Sequence, residues 1–93
     1  MKLAKIKHNG TEETAFVISR GFVGLARFNE EKRAFWETDF ERLINGPDLA
    51  MLNRWYMAGG RSIVENISRK FIVPAEEACV VGEIFATEDE GRA

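Results

Sequence analysis

The dipeptide Asn9-Gly10 constrains the start of the chain more than any other feature. It lies between two stretches with strand character, Lys2–Lys7 and Thr14–Ser19. Asn-Gly tolerates the positive φ angles that a type I′ turn needs, so we predict a β-hairpin here. The aromatic and β-branched run Phe22–Phe28 follows closely, and short links favour antiparallel order. The sequence therefore predicts a three-stranded meander over residues 2–28.

Helical patterns occupy residues 29–58. Asn29 and the acidic pair after it form one possible helix start, because a side-chain oxygen and carboxylates both favour that end of a helix. Thr38 and Glu41 have capping-box spacing and form another. The sequence leaves both open: one helix from Glu30 to Asn45, or a shorter one that begins near Thr38. In either case apolar residues recur at helical spacing and form one face of the helix. This face consists of Trp36, Phe40, Leu43 and Ile44.

A second helix follows the break at Asn45-Gly46-Pro47, since proline suits the first position of a helix. Apolar residues recur at helical spacing through Asp48–Met57. Gly59-Gly60 supplies the left-handed exit that commonly ends a helix. We therefore predict two central helices.

The C-terminal third has strand composition. Ser62–Val64 and Lys70–Val73 flank a polar connection, which predicts a second hairpin over residues 61–73. After Pro74, the acidic segment Ala75–Ala78 is typical of a short helix that Val81 and Phe85 could continue. Residues 88–93 are predicted to form a frayed acidic tail. The predicted fold class is thus α+β, as one small domain.

Length and composition support this prediction. The chain has 93 residues, of which 45% are hydrophobic and 30% charged, typical of a folded globular domain. We expect a cytoplasmic protein without membrane association, because no apolar run is long enough to span a bilayer and Met1–Gly10 lacks a hydrophobic signal region. The single cysteine, Cys79, and the single histidine, His8, cannot supply an internal disulfide or a Cys/His zinc site.

No catalytic set emerges from these residues. His8 lies beside a predicted turn, and a nucleophilic pair with Cys79 would need a third, orienting group. The acidic pairs at residues 12–13, 30–31 and 76–77 are adjacent in sequence, so their side chains do not face one another as a catalytic acid and base must. Gly59-Gly60-Arg61 lacks the spacing of a phosphate-binding loop. We therefore predict a protein that is not an enzyme, with no cofactor and no metal.

Charge is unevenly distributed. Residues 42–71 hold five basic side chains against two acidic ones, whereas the chain from Pro74 onward holds one basic side chain against six acidic ones. A basic segment of this kind is a candidate phosphate-binding surface.

An ordered set of features runs through residues 38–78. An aromatic residue near the end of the second helix is followed by a glycine exit, basic residues in the predicted hairpin, and a Val-Pro step into an acidic segment. These features are Trp55, Gly59, Arg61, Arg69, Lys70, Val73, Pro74 and Glu77. This order resembles the winged helix-turn-helix module of phage excisionases and MerR-like DNA-binding domains.

The resemblance implies a regulatory protein that binds double-stranded DNA. The second helix would enter the major groove while basic wing residues approach the phosphates. The residues implied in DNA binding are Asn53, Arg54, Arg61, Arg69 and Lys70.

Two other interpretations stay open. Met1–Gly10, the hairpin, the helices and Val73-Pro74 are similar to the N-terminal domain of the fumarylacetoacetate hydrolase family. That family's metal-binding carboxylates lie in a downstream domain, so this resemblance implies no activity for the chain.

The remaining interpretation is a small phage-type inhibitor or adaptor that binds a protein partner through aromatic and acidic surfaces. Ten aromatic residues are many for a core this small. Trp36, Tyr56 and Phe28 are the proposed contacts, and Phe22 and Phe35 are further candidates for an exposed patch. The oligomeric state is left open.

Overall fold

A five-stranded antiparallel sheet forms the frame of the fold, and a helical segment is inserted between its third and fourth strands. The architecture comes from a computed structural model, which describes residues 1–86. The strands are β1 (Lys2–His8), β2 (Thr11–Ile18), β3 (Gly21–Gly24), β4 (Ile72–Val73) and β5 (Cys79–Phe85). The helices are α1 (Leu25–Lys32), α2 (Phe40–Asn45), α3 (Asp48–Trp55) and α4 (Arg61–Glu65). The predicted α+β class, with N-terminal strands and central helices, is confirmed.

The first hairpin forms at the predicted place. Asn9 and Gly10 have φ angles of 51° and 78°, which is the conformation that a type I′ turn requires. Pairing runs from Leu3 opposite Phe16 to His8 opposite Thr11. Local turn chemistry therefore sets the register of β1 and β2.

The third strand is shorter than predicted, because Leu25–Phe28 is helical. Leu25 and Phe28 lie three residues apart on α1, and both are buried. Asn29 does not cap a helix. Its side-chain amide donates to the carbonyl of Trp36 at 2.9 Å, and its side-chain oxygen accepts from the amide of Trp36 at 3.2 Å. Asn29 thus holds the segment after α1 in place.

For the next helix, the structure is close to the shorter of the two predicted alternatives, the one that begins near Thr38. Chain direction changes at Arg33, whose φ is 55°, and α2 begins only at Phe40. The cap is Asp39 and not Thr38, since the Asp39 carboxylate accepts from the amide of Arg42 at 3.0 Å. Trp36 consequently lies in the connection between α1 and α2.

The predicted hairpin over residues 61–73 is wrong. The chain kinks at Gly59, whose φ is 128°, and then forms α4 from Arg61, so Ser62–Val64 is helical. Val64 is fully buried, and Arg61 and Glu65 form an i,i+4 ion pair at 2.9 Å. Burial and this pair stabilise a helix despite the β-branched residues. The hairpin partner of Ile72–Val73 is β3 instead.

The predicted extension of the short helix after Pro74 through Val81 and Phe85 is also wrong. A 3-10 turn, Ala75–Glu77, follows Pro74 as the acidic segment suggested, but the chain then enters β5. Strand β5 pairs with β1 and so satisfies its free backbone groups. A bulge at Val81 twists this edge and hinders pairing with a further strand. The predicted tail, 88–93, lies outside the described residues.

The strand order β4-β3-β2-β1-β5 places β4 and β5 at opposite edges of the sheet. The short link Pro74–Ala78 joins them. In a flat sheet whose neighbouring strands lie about 4.8 Å apart, β4 and β5 would be about 19 Å apart. A link containing a 3-10 turn, which advances about 2 Å per residue, is too short for that. The sheet is therefore curled, with its edges drawn together.

The curl gives the sheet two distinct faces. The helix-covered face carries the larger core, which includes Leu3, Phe16 and Val23 of neighbouring strands. The concave inner face buries Ala4, Ile6, Ala15 and Phe22. Its partly buried apolar neighbours come from the sheet itself and from the link between β4 and β5. They are Val17, Val73 and Ala78.

Candidate functional site: an aromatic groove

The residues predicted to bind DNA differ in burial and in location. Asn53 is buried, and its side-chain oxygen has no hydrogen-bond partner, so it does not present a base-reading surface. Arg54, Arg61, Arg69 and Lys70 are exposed. Arg61 and Lys70 line two different depressions.

Two of these cations have local partners. Arg61 donates to the carboxylate of Glu65 at 2.9 Å, and this hydrogen bond raises the pKa of Arg61 above its ordinary value. The Lys70 ammonium lies 5.2 Å from the centre of the Phe71 ring. The described structure lacks the two-stranded wing that would carry Arg61, Arg69 and Lys70 towards a duplex.

The residues proposed for protein interaction divide into core and surface. Phe28 and Tyr56 are buried, and the Tyr56 ring stacks on Phe16 with centroids 5.9 Å apart. Trp36 is half-buried. Phe22, a further candidate, lies on the inner face. Only part of the predicted aromatic patch is therefore accessible.

Phe28 and Trp36 meet in an open groove between α1, the segment after it, α3 and α4. Its volume is about 530 Å³. The lining is apolar except for one lysine. The lining residues are Phe28, Lys32, Ala34, Phe35, Trp36, Trp55 and Ile63.

Three rings form the floor of this aromatic groove. The centroid of Trp55 lies 5.7 Å from that of Phe28, in an edge-to-face arrangement, and 5.8 Å from that of Trp36. Trp55 also approaches Phe16 of the core at 6.4 Å. Such aromatic pairs add to the stabilisation from burial, so the floor is continuous with the core and held in shape.

Two glycines position Trp55. Gly59 has a φ of 128°, a conformation that other residues rarely adopt, and it turns the chain between α3 and α4. A Cβ atom on Gly60 would lie 2.5–2.6 Å from atoms of the Trp55 indole. The backbone of Gly60 therefore lies directly against the indole, which a larger residue would displace.

The rim is exposed to solvent. Phe35 is 95% exposed and Ile63 is 45% exposed. The main chain of neighbouring Trp36 is fixed by Asn29, so the segment that carries Phe35 leaves α1 in a defined direction. An exposed phenylalanine beside a preformed apolar groove is typical of a binding surface.

The catalytic candidates are not brought together. Cys79 lies opposite Lys7 in the β1–β5 ladder, and successive side chains of a strand point to opposite faces. His8 and Cys79 are thus directed to different faces of the sheet. Among residues 1–86, the acidic, histidine and cysteine side chains form no group of three or more that could hold a metal ion.

Sequence reasoning named Phe28, Phe35 and Trp36, placed Trp55 among the features that resemble a DNA-binding module, and did not single out Lys32 or Ile63. The available signals were Gly59-Gly60 after Trp55, which permits close packing, and the basic pair just before Ala34-Phe35-Trp36.

None of the helices within residues 1–86 has the length and apolar character needed to cross a membrane. Comparisons with protein-family models, curated proteins and solved structures found no match.

Proposed function

We propose that this chain is a non-catalytic protein-binding module, of the adaptor or inhibitor kind, whose aromatic groove receives a bulky apolar side chain from a partner. The observation that carries the proposal is Phe35, which is 95% exposed beside a floor formed by Phe28, Trp36 and Trp55. Covering these rings would remove apolar surface from water, which is the main driving force of association.

The form of the groove favours a protein segment over a small molecule. Small ligands are usually buried over most of their surface in a concave pocket. Here the depression is open, and part of its apolar area belongs to Phe35 and Ile63 at the rim. A partner chain can cover the rim and place one anchor on the floor, as in interfaces where a few aromatic contacts carry most of the energy.

Double-stranded DNA is the less favoured partner. The implied base contact Asn53 is buried, and residues 61–65 form a helix where the DNA-binding module would have the first strand of its wing. The exposed cations Arg69 and Lys70 are what still support a phosphate contact.

Selection from a library of displayed random peptides would test the proposal. We expect peptides with a shared bulky apolar residue to bind the protein and to lose at least tenfold in affinity to the variants Phe35→Ala or Trp36→Ala, as expected for interface anchors. Phe85→Ala is the matched control, because Phe85 is 61% exposed on β5 and does not line the groove.

The same variants separate the two partner classes. If a random-sequence duplex binds at low salt, and Arg69→Ala/Lys70→Ala abolishes that binding while Phe35→Ala does not, DNA is the partner and the groove proposal fails. Peptides that bind the Phe35→Ala and Trp36→Ala variants as tightly as the original chain would also contradict it.

A further inference from the structure

The aromatic groove carries one charge, and it is positive. Lys32 is the sole ionisable residue among those that line the groove. It lies in the last turn of α1 and makes no ion pair with any residue of the described chain. A lysine stem can cover apolar surface while its ammonium stays in water. The ammonium of Lys32 is therefore available to a partner.

The neighbouring carboxylates are engaged or directed elsewhere. Glu30 and Glu31 of α1 line a separate depression with Arg27 and Lys70. Glu65 of α4 is paired with Arg61. The Glu37 side chain accepts a hydrogen bond from the amide of Asp39 at 3.1 Å. None of these acidic residues lines the groove, so its field is set by Lys32.

Two further cations adjoin the groove along the chain. Arg33 follows Lys32 and precedes the lining residue Ala34, and Arg54 precedes Trp55. Both arginines are exposed, and neither forms an ion pair within residues 1–86. The positive charge of Lys32 disfavours a cationic ligand, although the aromatic rings alone would attract one.

From this charge distribution we infer that the groove recognises a segment in which a carboxylate lies next to the bulky apolar anchor. The anchor contacts the rings of Trp36 and Trp55, and the carboxylate pairs with Lys32 at the mouth. This inference rests on the proposed function, because it concerns the same groove, and it adds the charge of the occupant. An acidic neighbour contributes selectivity more than affinity, since exposed ion pairs are weak.

Three small probes that share a phenyl ring test the inference. N-acetylphenylalanine carries a carboxylate, N-acetylphenylalanine amide is neutral, and phenethylamine is cationic. The chain has two tryptophans, Trp36 and Trp55, and both line the groove. Their two indole N–H signals in a ¹⁵N-correlated NMR spectrum therefore report binding there directly.

We expect saturable shifts of both indole signals, with the carboxylate probe binding about two- to fivefold more tightly than the amide and the amine binding weakest. Lys32→Gln should remove most of the difference in affinity between the carboxylate and amide probes. Lys7→Gln is the matched control: Lys7 is an exposed lysine of β1 that does not line the groove. Added salt should reduce the preference.

The possible failures are distinguishable. If all three probes shift the indole signals with equal affinity, or if Lys32→Gln keeps the preference for the carboxylate, the groove binds apolar groups but the inference about charge is wrong. If no probe shifts either signal in the folded protein, the groove is not a binding site and the proposed function fails with the inference.

Discussion

The helix-covered face of the sheet centres on packed aromatic rings, whereas the inner face centres on a pair of alanines where β1 meets β2. On the covered face, Phe16 meets Phe28 edge to face at 5.4 Å and stacks on Tyr56. On the inner face, Ala4 and Ala15 are opposite one another in register and fully buried. The two faces should therefore respond to opposite kinds of substitution.

Removing volume from the covered face should have the largest effect. Phe16→Ala eliminates contacts with Phe28, Tyr56 and Trp55, and we expect it to lower the free energy of unfolding by about 3–5 kcal/mol. Denaturant titration followed by circular dichroism measures this. Met51→Ala, at an exposed site of α3, is the control. A loss under about 1 kcal/mol for Phe16→Ala would show that this face is loosely packed.

Adding volume to the inner face should have the next largest effect. Ala15→Leu places a larger side chain between Ala4 and the rest of the curled sheet, and we expect a destabilisation of about 1–3 kcal/mol. The same denaturant titration applies, with Ala50→Leu at an exposed helical position as the control. If Ala15→Leu leaves stability unchanged or raises it, the inner face holds unfilled space and the contrast between the faces is lost.

The smallest effect concerns Tyr56, the single tyrosine, at the covered face. Burial, followed by the charge of Glu65, raises the pKa of Tyr56 above its ordinary value, and Arg61 opposes this. The folded state therefore keeps a proton that the unfolded state loses above about pH 10. This contribution to stability is present below that pH and declines as the pH rises towards the folded-state value.

Ultraviolet absorbance of the phenolate measures this titration directly. We expect a midpoint above the ordinary tyrosine value, and Tyr56→Phe should remove this part of the alkaline loss of stability. A midpoint at or below the ordinary value would mean that the Tyr56 hydroxyl is not desolvated.

Prediction from sequence succeeded where local chemistry decides the structure. Asn9-Gly10 defines its hairpin without help from the rest of the chain. Prediction failed for Ile63-Val64, whose β-branched side chains favour a strand while burial of Val64 against the sheet favours a helix. It failed for Val81 and Phe85 because the free edge of β1, which β5 occupies, is a long-range feature.

The groove was predictable only in part for a similar reason. Trp55 and Tyr56 are adjacent and share the same flanking sequence. Even so, Tyr56 lies in the core and Trp55 lines the groove. Which ring faces solvent depends on where α3 lies on the sheet, and that placement is a tertiary property. Phe35 could be named as a candidate but its exposure could not be derived.

The pairing of the first strand with the last has a consequence for biosynthesis. Strand β1 leaves the ribosome before β5, and its outer edge stays unpaired until β5 has been synthesised, because Leu3 pairs with Ile84. Contacts this distant in sequence incur the full entropy of loop closure and are typically slow to form. The nascent chain therefore carries an open strand edge from the emergence of β1 until that of β5, and a chaperone that shields such edges would act in this interval.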